Sequence, residues 1–170
     1  MLDIMQKTPP WVYLLFIALL VFGIKQKRDR TASKAALLLL PVGMIIFSLF
    51  DMTTNIGISG YQLMSWSTGA VIAWPLALRL LTPQNIGYDA TTGKVFVPGS
   101  WVPLIIIMGV FSVKYVQGAI TALSPQTTNT VLFLWLFSFF NGVFFGIFSA
   151  RIYTYLHIKT TQSSLGQNNN

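Results

Sequence analysis

Five long apolar segments, separated by short polar ones, constrain the fold of this chain more than any other feature. They cover residues 11–24, 35–52, 61–81, 101–123 and 130–157. Only 9% of the residues are charged, whereas a soluble domain carries roughly 25%. Because so few charges cannot cover a surface in water, much of the surface must face lipid. The sequence therefore predicts an all-α integral membrane protein with five transmembrane helices.

The polar segments define the predicted domain organisation. Residues 1–159 are predicted to form a single transmembrane helical domain, and residues 160–170 a disordered cytoplasmic tail without apolar content. Between the third and fourth helices, residues 84–100 contain two short runs around Asp89 and Gly93, residue types that favour a turn. We therefore expect a short β-hairpin in this segment.

The basic residues predict the orientation in the membrane. Cytoplasmic loops of membrane proteins carry an excess of Lys and Arg. The segment after the first predicted helix is the most basic in the chain, with Lys25, Lys27, Arg28, Arg30 and Lys34. This pattern predicts an outside N-terminus, an inside C-terminus and a hairpin on the cytoplasmic face. The same loop is suited to contact anionic lipid headgroups or a protein partner.

The formal net charge is +7, which raises the question of nucleic acid as a partner. The basic residues stand in short loops beside apolar segments and do not form one soluble basic face. We therefore expect the lipid bilayer as the partner and no nucleic acid.

Small residues recur every four positions along the fifth predicted helix. They are Ser138, Gly142, Gly146 and Ala150, and they form one stripe on which another helix backbone can approach closely. Two interpretations follow from this stripe. Helix five packs against another helix of the same chain, or it forms a homo-oligomer.

One cation, Lys114, lies inside an apolar segment. A charge in hydrocarbon costs ~2.5 kcal/mol or more on insertion scales, so it needs a partner or a wet cavity. Counted along the predicted helices, further polar residues lie at the level of Lys114 or closer to the outer surface: Asp51, Gln117, Asn141, Ser65 and Thr68. We expect an outward-facing polar pocket with a Lys114–Asp51 ion pair that takes an anionic or polar ligand. In the alternative, Lys114 extends to the external headgroups or makes a purely structural bond.

The chain offers little for catalysis. It has no cysteine, no glutamate and a single histidine, His157, so we expect no catalytic residues, no metal site and no cofactor. The predicted function is that of a small non-enzymatic membrane protein, transporter-like or ligand-binding, with the pocket around Lys114. The alternative is a structural or interaction subunit of a membrane complex with no ligand of its own.

Three stretches of the sequence carry a resemblance to a known family. They are TPPWVYLLFIALLVFGIKQKR (8–28), YDATTGKVFVPGSWVPL (88–104) and FSVKY (111–115). The chain resembles an uncharacterised family of small bacterial multi-pass inner-membrane proteins, a domain of unknown function, over most of residues 1–157. The resemblance implies about five spans in a bacterial inner (plasma) membrane, and it implies no activity.

Overall fold

The computed structural model describes residues 10–53, 59–81, 87–89 and 94–157. The predicted tail and the turn of the predicted hairpin lie outside these residues. Five helices are present in the described part: α1 (Pro10–Lys25), α2 (Lys34–Asp51), α3 (Gly60–Leu80), α4 (Val102–Leu123) and α5 (Val131–Leu156). The strands there are β1 (Arg30–Ser33), β2 (Gly87–Asp89) and β3 (Lys94–Val97), and a 3-10 helix, Pro125–Asn129, joins α4 to α5.

Polar side chains define where several helices begin. The first turn of a helix has backbone N–H groups without an intrahelical partner, and short polar side chains accept from them. Ser33 Oγ accepts from the N–H of Ala36 at the start of α2, at 3.2 Å. At the start of α3 the side chain of Gln62 folds back and accepts from the N–H of Ser59, at 2.8 Å. Thr130 caps α5 in the same way as Ser33 caps α2.

The helices pack in two groups. Helix α5 packs most extensively against α3 and then against α2, whereas α1 packs against α4. We call these the α2–α3–α5 group and the α1–α4 group. Close backbone contacts between the two groups are few, and large side chains bridge them in an apolar cluster with Ile106 and Val110 from α4 and Phe144 and Phe148 from α5. The two groups are therefore held together mainly by side chains.

A three-stranded antiparallel sheet lies at one end of the bundle, with strand order β1-β3-β2. The predicted hairpin is present as the β2–β3 pair. The prediction that residues 25–34 form a loop is wrong in part, because residues 30–33 form β1. The sequence RTAS has no apolar alternation, so β1 gives no strand signal of its own. It forms because β3 offers a free edge with which it pairs from Arg30↔Val97 to Ser33↔Lys94.

The sheet is attached to the helices through one face of β3. Val95 and Val97 are buried in a cluster with Leu37 of α2 and Tyr155 of α5, while Phe96 stays exposed. This cluster places the beginning of α2, the end of α5 and both loop strands at the same end of the molecule. We call this end the sheet end.

Two helices, α4 and α5, are long and apolar enough to cross a membrane, by length and composition. Two further apolar helices are shorter, over Val12–Lys25 and Ala35–Asp51. Helix α3 has 21 residues but contains more polar ones, among them Gln62, Ser65 and Thr68. These features support a helical protein with candidate membrane spans.

Candidate functional site

The predicted ion pair joins α2 and α4. Lys114 Nζ lies 2.5 Å from Asp51 Oδ2. It also donates to Gln117 Oε1 on the next turn of α4, at 3.2 Å. The Asp51 side chain is 6% exposed and that of Lys114 is 22% exposed. The carboxylate is thus buried, whereas part of the lysine side chain lies at the surface.

Helix α5 contributes a buried amide to the same site. Asn141 Nδ2 donates to Asp51 Oδ2 at 3.2 Å and to the carbonyl oxygen of Ser48 at 3.1 Å. In return, Ser48 Oγ donates to Asn141 Oδ1 at 2.6 Å. Both side chains are almost completely buried. The network therefore connects three helices, α2, α4 and α5, through one carboxylate.

Ser48 is a member of the site that the sequence prediction missed. It lies three residues before Asp51 on α2 and so shares the face of Asp51. Because serine is common in membrane helices and satisfies itself by bonding to the preceding turn, its presence alone gives no signal. The spacing Ser48-x-x-Asp51, opposite an asparagine on another helix, is the signal that could have identified it.

Among the described residues, the site contains one positive charge, one negative charge and several hydrogen-bond donors. The ammonium has three N–H groups, and two of them bond to Asp51 and Gln117. The ring of Phe47 lies 5.6 Å from Lys114 Nζ, within cation–π range. Within the described chain, one N–H of Lys114 and the amide N–H groups of Gln117 are left for another acceptor. These donors are suited to an anionic group, and the described residues of the site contain no nucleophile–base pair.

Two predicted pocket residues do not reach Lys114. Ser65 Oγ donates to the carbonyl oxygen of Trp135 on α5, at 2.7 Å, and Thr68 Oγ1 donates to that of Met64 within α3. Ser65 lies in the contact between α3 and α5, and Thr68 is exposed. In the described residues, α3 packs against α5 and has no extensive contact with α4.

The small-residue stripe of α5 is occupied by α3. Ser138, Gly142, Gly146 and Ala150 are all buried. A Cβ atom added to Gly142 would collide with the backbone of Trp66, and one added to Gly146 would lie 2.6 Å from the carbonyl oxygen of Ala70.

Helix α3 presents a matching stripe that the sequence analysis did not use. It consists of Ser65, Gly69, Ala73 and Ala77, again four residues apart and buried. The interpretation that α5 packs within its own chain thus describes this structure. The homo-oligomer through α5 stays a prediction, and it would have to use a different face of α5 or displace α3.

The basic segment between α1 and α2 is tied to the segment before α4. Asp29 Oδ1 accepts from the N–H of Gly99 at 2.7 Å, and the carbonyl oxygen of Gln26 accepts from the N–H of Ser100 at 3.2 Å. The ammonium of Lys27 lies 4.6 Å from the ring centroid of Trp101.

Of the basic residues in this segment, Lys25, Lys27 and Arg28 are exposed. Arg30 begins β1, and Lys34 begins α2. All five thus lie at the sheet end, and their contact with lipid or a partner stays a prediction.

Comparisons with known proteins identify a family but no characterised relative. No curated protein and no solved structure is similar enough to match the chain. One family model matches residues 1–164, nearly the whole chain, and it describes a family of unknown function. The predicted resemblance to an uncharacterised family is confirmed by this match. The chain belongs to the family of unknown function DUF6622.

Proposed function

We propose that this chain is a small, non-enzymatic integral membrane protein whose five helices all cross the bilayer, and that it binds a polar ligand with an anionic group at the Lys114–Asp51 site. The proposed location is the inner (plasma) membrane of a bacterium. The proposal has two parts, the topology and the ligand, and each rests on separate observations.

The pairing of β1 with β3 supports an even number of membrane crossings between these two strands. Strand β1 precedes α2 and β3 follows α3, yet the two strands pair. Both must therefore lie on the same side of a membrane, so α2 and α3 either both cross it or both stay out of it. Large apolar side chains on the outer surface of α3 favour crossing, since Met64 and Val71 are 74% and 72% exposed.

Helix lengths are compatible with five spans. At 1.5 Å per residue, the 18 residues of α2 cover about 27 Å and the 21 residues of α3 about 32 Å, close to the ~30 Å of a bilayer core. The 16 residues of α1 cover about 24 Å, which local thinning or flanking residues can accommodate. Because the basic segment lies at the sheet end, the positive-inside rule assigns that end to the cytoplasm. The N-terminus is then outside and the C-terminus inside.

The observation that carries the ligand part is the partly exposed side chain of Lys114. It lies among apolar helices, 22% exposed, and its ammonium has donor capacity beyond its two hydrogen bonds to described side chains. Ionisable groups inside a membrane protein mark binding sites and pathways by default. A ligand with an anionic group can use this donor and the neighbouring amide of Gln117.

The second candidate function, a structural or interaction subunit without a ligand, is favoured by a different observation. Asp51, Asn141 and Ser48 satisfy one another inside the bundle, as in a network that only holds helices together. The same experiment separates the two functions.

The experiment is a ligand screen by thermal unfolding of the purified protein in detergent. Wild type, Lys114→Met and the exposed-cation control Arg79→Met are each heated with inorganic phosphate, acetate, dodecanoate and lysophospholipids. The proposal expects at least one probe to raise the unfolding midpoint of wild type and Arg79→Met but not of Lys114→Met. If none of these probes gives a shift that depends on Lys114, the ligand part is wrong and the structural subunit is favoured.

A further inference from the structure

We infer that the ligand of the Lys114 site is a small water-soluble monocarboxylate, which reaches the site from the end of the molecule opposite the sheet end. One oxygen of the ligand accepts from Lys114 and the other accepts from the amide of Gln117. This inference rests on the proposed function and names the ligand class and the route for the same site. In the proposed orientation, the ligand arrives from outside the cell.

The ammonium of Lys114 lies at the outer end of α2. It is 2.5 Å from Asp51 Oδ2, and Asp51 is the last residue of that helix. Helix α2 begins at the sheet end, and its 18 residues cover about 27 Å, nearly the ~30 Å of a bilayer core. The ammonium therefore lies near the outer boundary of the proposed hydrocarbon layer, where dissolved ions are present.

A stripe of residues on α4 leads outward from this level. Lys114, Gln117, Gly118 and Thr121 are spaced so that they share one face of the helix. Lys114 and Gln117 are half-buried, whereas Thr121 is exposed. Gly118 leaves this face open, because a Cβ atom added to it would meet nothing within 4 Å. The stripe ends close to the 3-10 helix Pro125–Asn129, which has no buried residue. A water-soluble ligand can follow this polar face to the ammonium.

Two neighbouring donors define the group that is bound. Two of the three N–H groups of Lys114 bond to Asp51 and Gln117, and within the described chain the third is left for a ligand. Gln117 uses Oε1 in its bond to Lys114, so the N–H groups of the same amide remain as donors. The two oxygens of one carboxylate can accept from both side chains at once. Because the ligand uses the remaining donors, the Lys114–Asp51 pair stays intact.

The charges near the site favour a ligand with a single negative charge. The carboxylate of Asp51 bonds to the same ammonium, so it repels an anion bound there, and the repulsion grows with the charge of that anion. Lys114 is the only Lys or Arg among residues 35–78 and 95–150, which leaves no second cation in these segments to offset a second negative charge. A monocarboxylate should therefore bind more tightly than a dianion such as sulfate.

A phospholipid headgroup shares part of this chemistry, since a phosphodiester is also a monoanion with two acceptor oxygens. The stripe on α4 favours the free ligand, because a group that the bilayer itself carries to the site needs no polar path from the outer loop. The experiment separates these two sources.

The test compares four probes on protein in dodecylmaltoside micelles at constant ionic strength: butyrate, its neutral analogue butyramide, sulfate and lysophosphatidylglycerol. Binding is measured by the shift of the unfolding midpoint as each probe is titrated. Wild type and the control Arg79→Met should bind butyrate at least tenfold more tightly than each of the other three probes. Lys114→Met should lose this binding.

Replacements of Gln117 test the second donor. Gln117→Glu keeps an acceptor for Lys114 but replaces the amide donors by a negative charge, and Gln117→Met removes the donors without adding a charge. Both should weaken butyrate binding about tenfold or more, as is usual for the loss of a hydrogen bond to a charged group. A residue that only holds Lys114 in place would tolerate Gln117→Glu.

A bulky label tests the route. Because the chain has no cysteine, Thr121→Cys can be modified with a large maleimide, which should abolish butyrate binding. The same label on the control Thr127→Cys, in the outer loop, should leave binding unchanged.

Each other result has a defined meaning. Lys114-dependent binding of sulfate or lysophosphatidylglycerol that equals that of butyrate would show a different ligand class. Butyrate binding that survives both Gln117 replacements, or the label on Thr121→Cys, would refute the second donor or the route. These results overturn this inference but leave the proposed function standing. Equal binding of butyramide, or binding that is the same in Lys114→Met as in wild type, overturns both.

Discussion

Replacing both Lys114 and Asp51 by uncharged residues should lower the free energy of unfolding by far less than the sum of the losses caused by the two single replacements. At the 2.5 Å separation of the charged atoms and an effective dielectric constant of ~20, their Coulomb attraction is about 7 kcal/mol. Loss of hydration offsets much of this attraction, so removal of one partner from a buried pair costs about 3–5 kcal/mol. Asp51→Asn leaves Lys114, which is 22% exposed, so we expect the lower end, about 3 kcal/mol. Lys114→Met leaves the Asp51 carboxylate, which is 6% exposed, and should cost at least as much.

The double variant should be no less stable than either single variant, at most about 3 kcal/mol below wild type, since no charge is left without its partner. The asparagine in place of Asp51 can still accept from Asn141. The resulting coupling energy, at least about 3 kcal/mol, is at the upper end of the range for residues in contact.

The assay is equilibrium unfolding in mixed SDS–dodecylmaltoside micelles, followed by the fluorescence of the tryptophans. The control cycle combines Asp51→Asn with Arg79→Met, an exposed cation near the sheet end, and its free energies of unfolding should add within about 0.5 kcal/mol. A Lys114–Asp51 cycle that is additive to the same degree would refute the reasoning. It would mean that the pair is not formed in the folded protein.

Three further predictions concern packing, the buried amide and topology. Gly142→Ala should destabilise the protein by about 1–3 kcal/mol, because the added methyl group collides with α3. The control Gly118→Ala meets open space and should change stability by less than about 1 kcal/mol. Equal effects of the two variants in the SDS unfolding assay would contradict the close contact between α3 and α5. Ser48→Ala should cost about 1 kcal/mol by the same assay, as is usual for hydrogen bonds between membrane helices, and an unchanged free energy would argue against its bond to the α5 amide. Since the chain has no cysteine, single variants can be labelled cleanly with a membrane-impermeant maleimide: Thr127→Cys should react in intact cells and Thr31→Cys only after lysis, and the reverse pattern would invert the proposed orientation.

The positions of polar residues along the predicted helices were sufficient to predict the contacts at the Lys114 site. Lys114, Asp51 and Asn141 stand at the same level of three helices, and a charge in an apolar segment requires a partner, so the pair could be expected from the spacing alone. The four-residue repeat of α5 likewise indicated a close helix contact, because only small residues permit it.

Rotation about the helix axes could not be predicted in the same way. Ser65 was predicted at the Lys114 site but bonds to α5, because its stripe of small residues is what α5 packs against. The hydrophobic pattern gives little help here, since these helices are apolar on nearly all faces and in lipid the outer face is as apolar as the inner one.

Strand β1 was unpredictable for another reason. Its four residues acquire their structure from β3, which lies far along the chain, and not from any local preference. The secondary structure of such a short polar segment depends on the strand with which it pairs. A prediction from the local sequence alone therefore gives a loop.

The pairing of α3 with α5 has a consequence for biosynthesis. Chains emerge from the ribosome N-terminus first, so α3 is made before β2, β3 and α4, while α5 comes last. Until α5 arrives, the stripe from Ser65 to Ala77 has no backbone to pack against. A nascent chain that stops after α4 would leave this stripe uncovered. Among the described helices, α5 is therefore the one that completes the packing of α3.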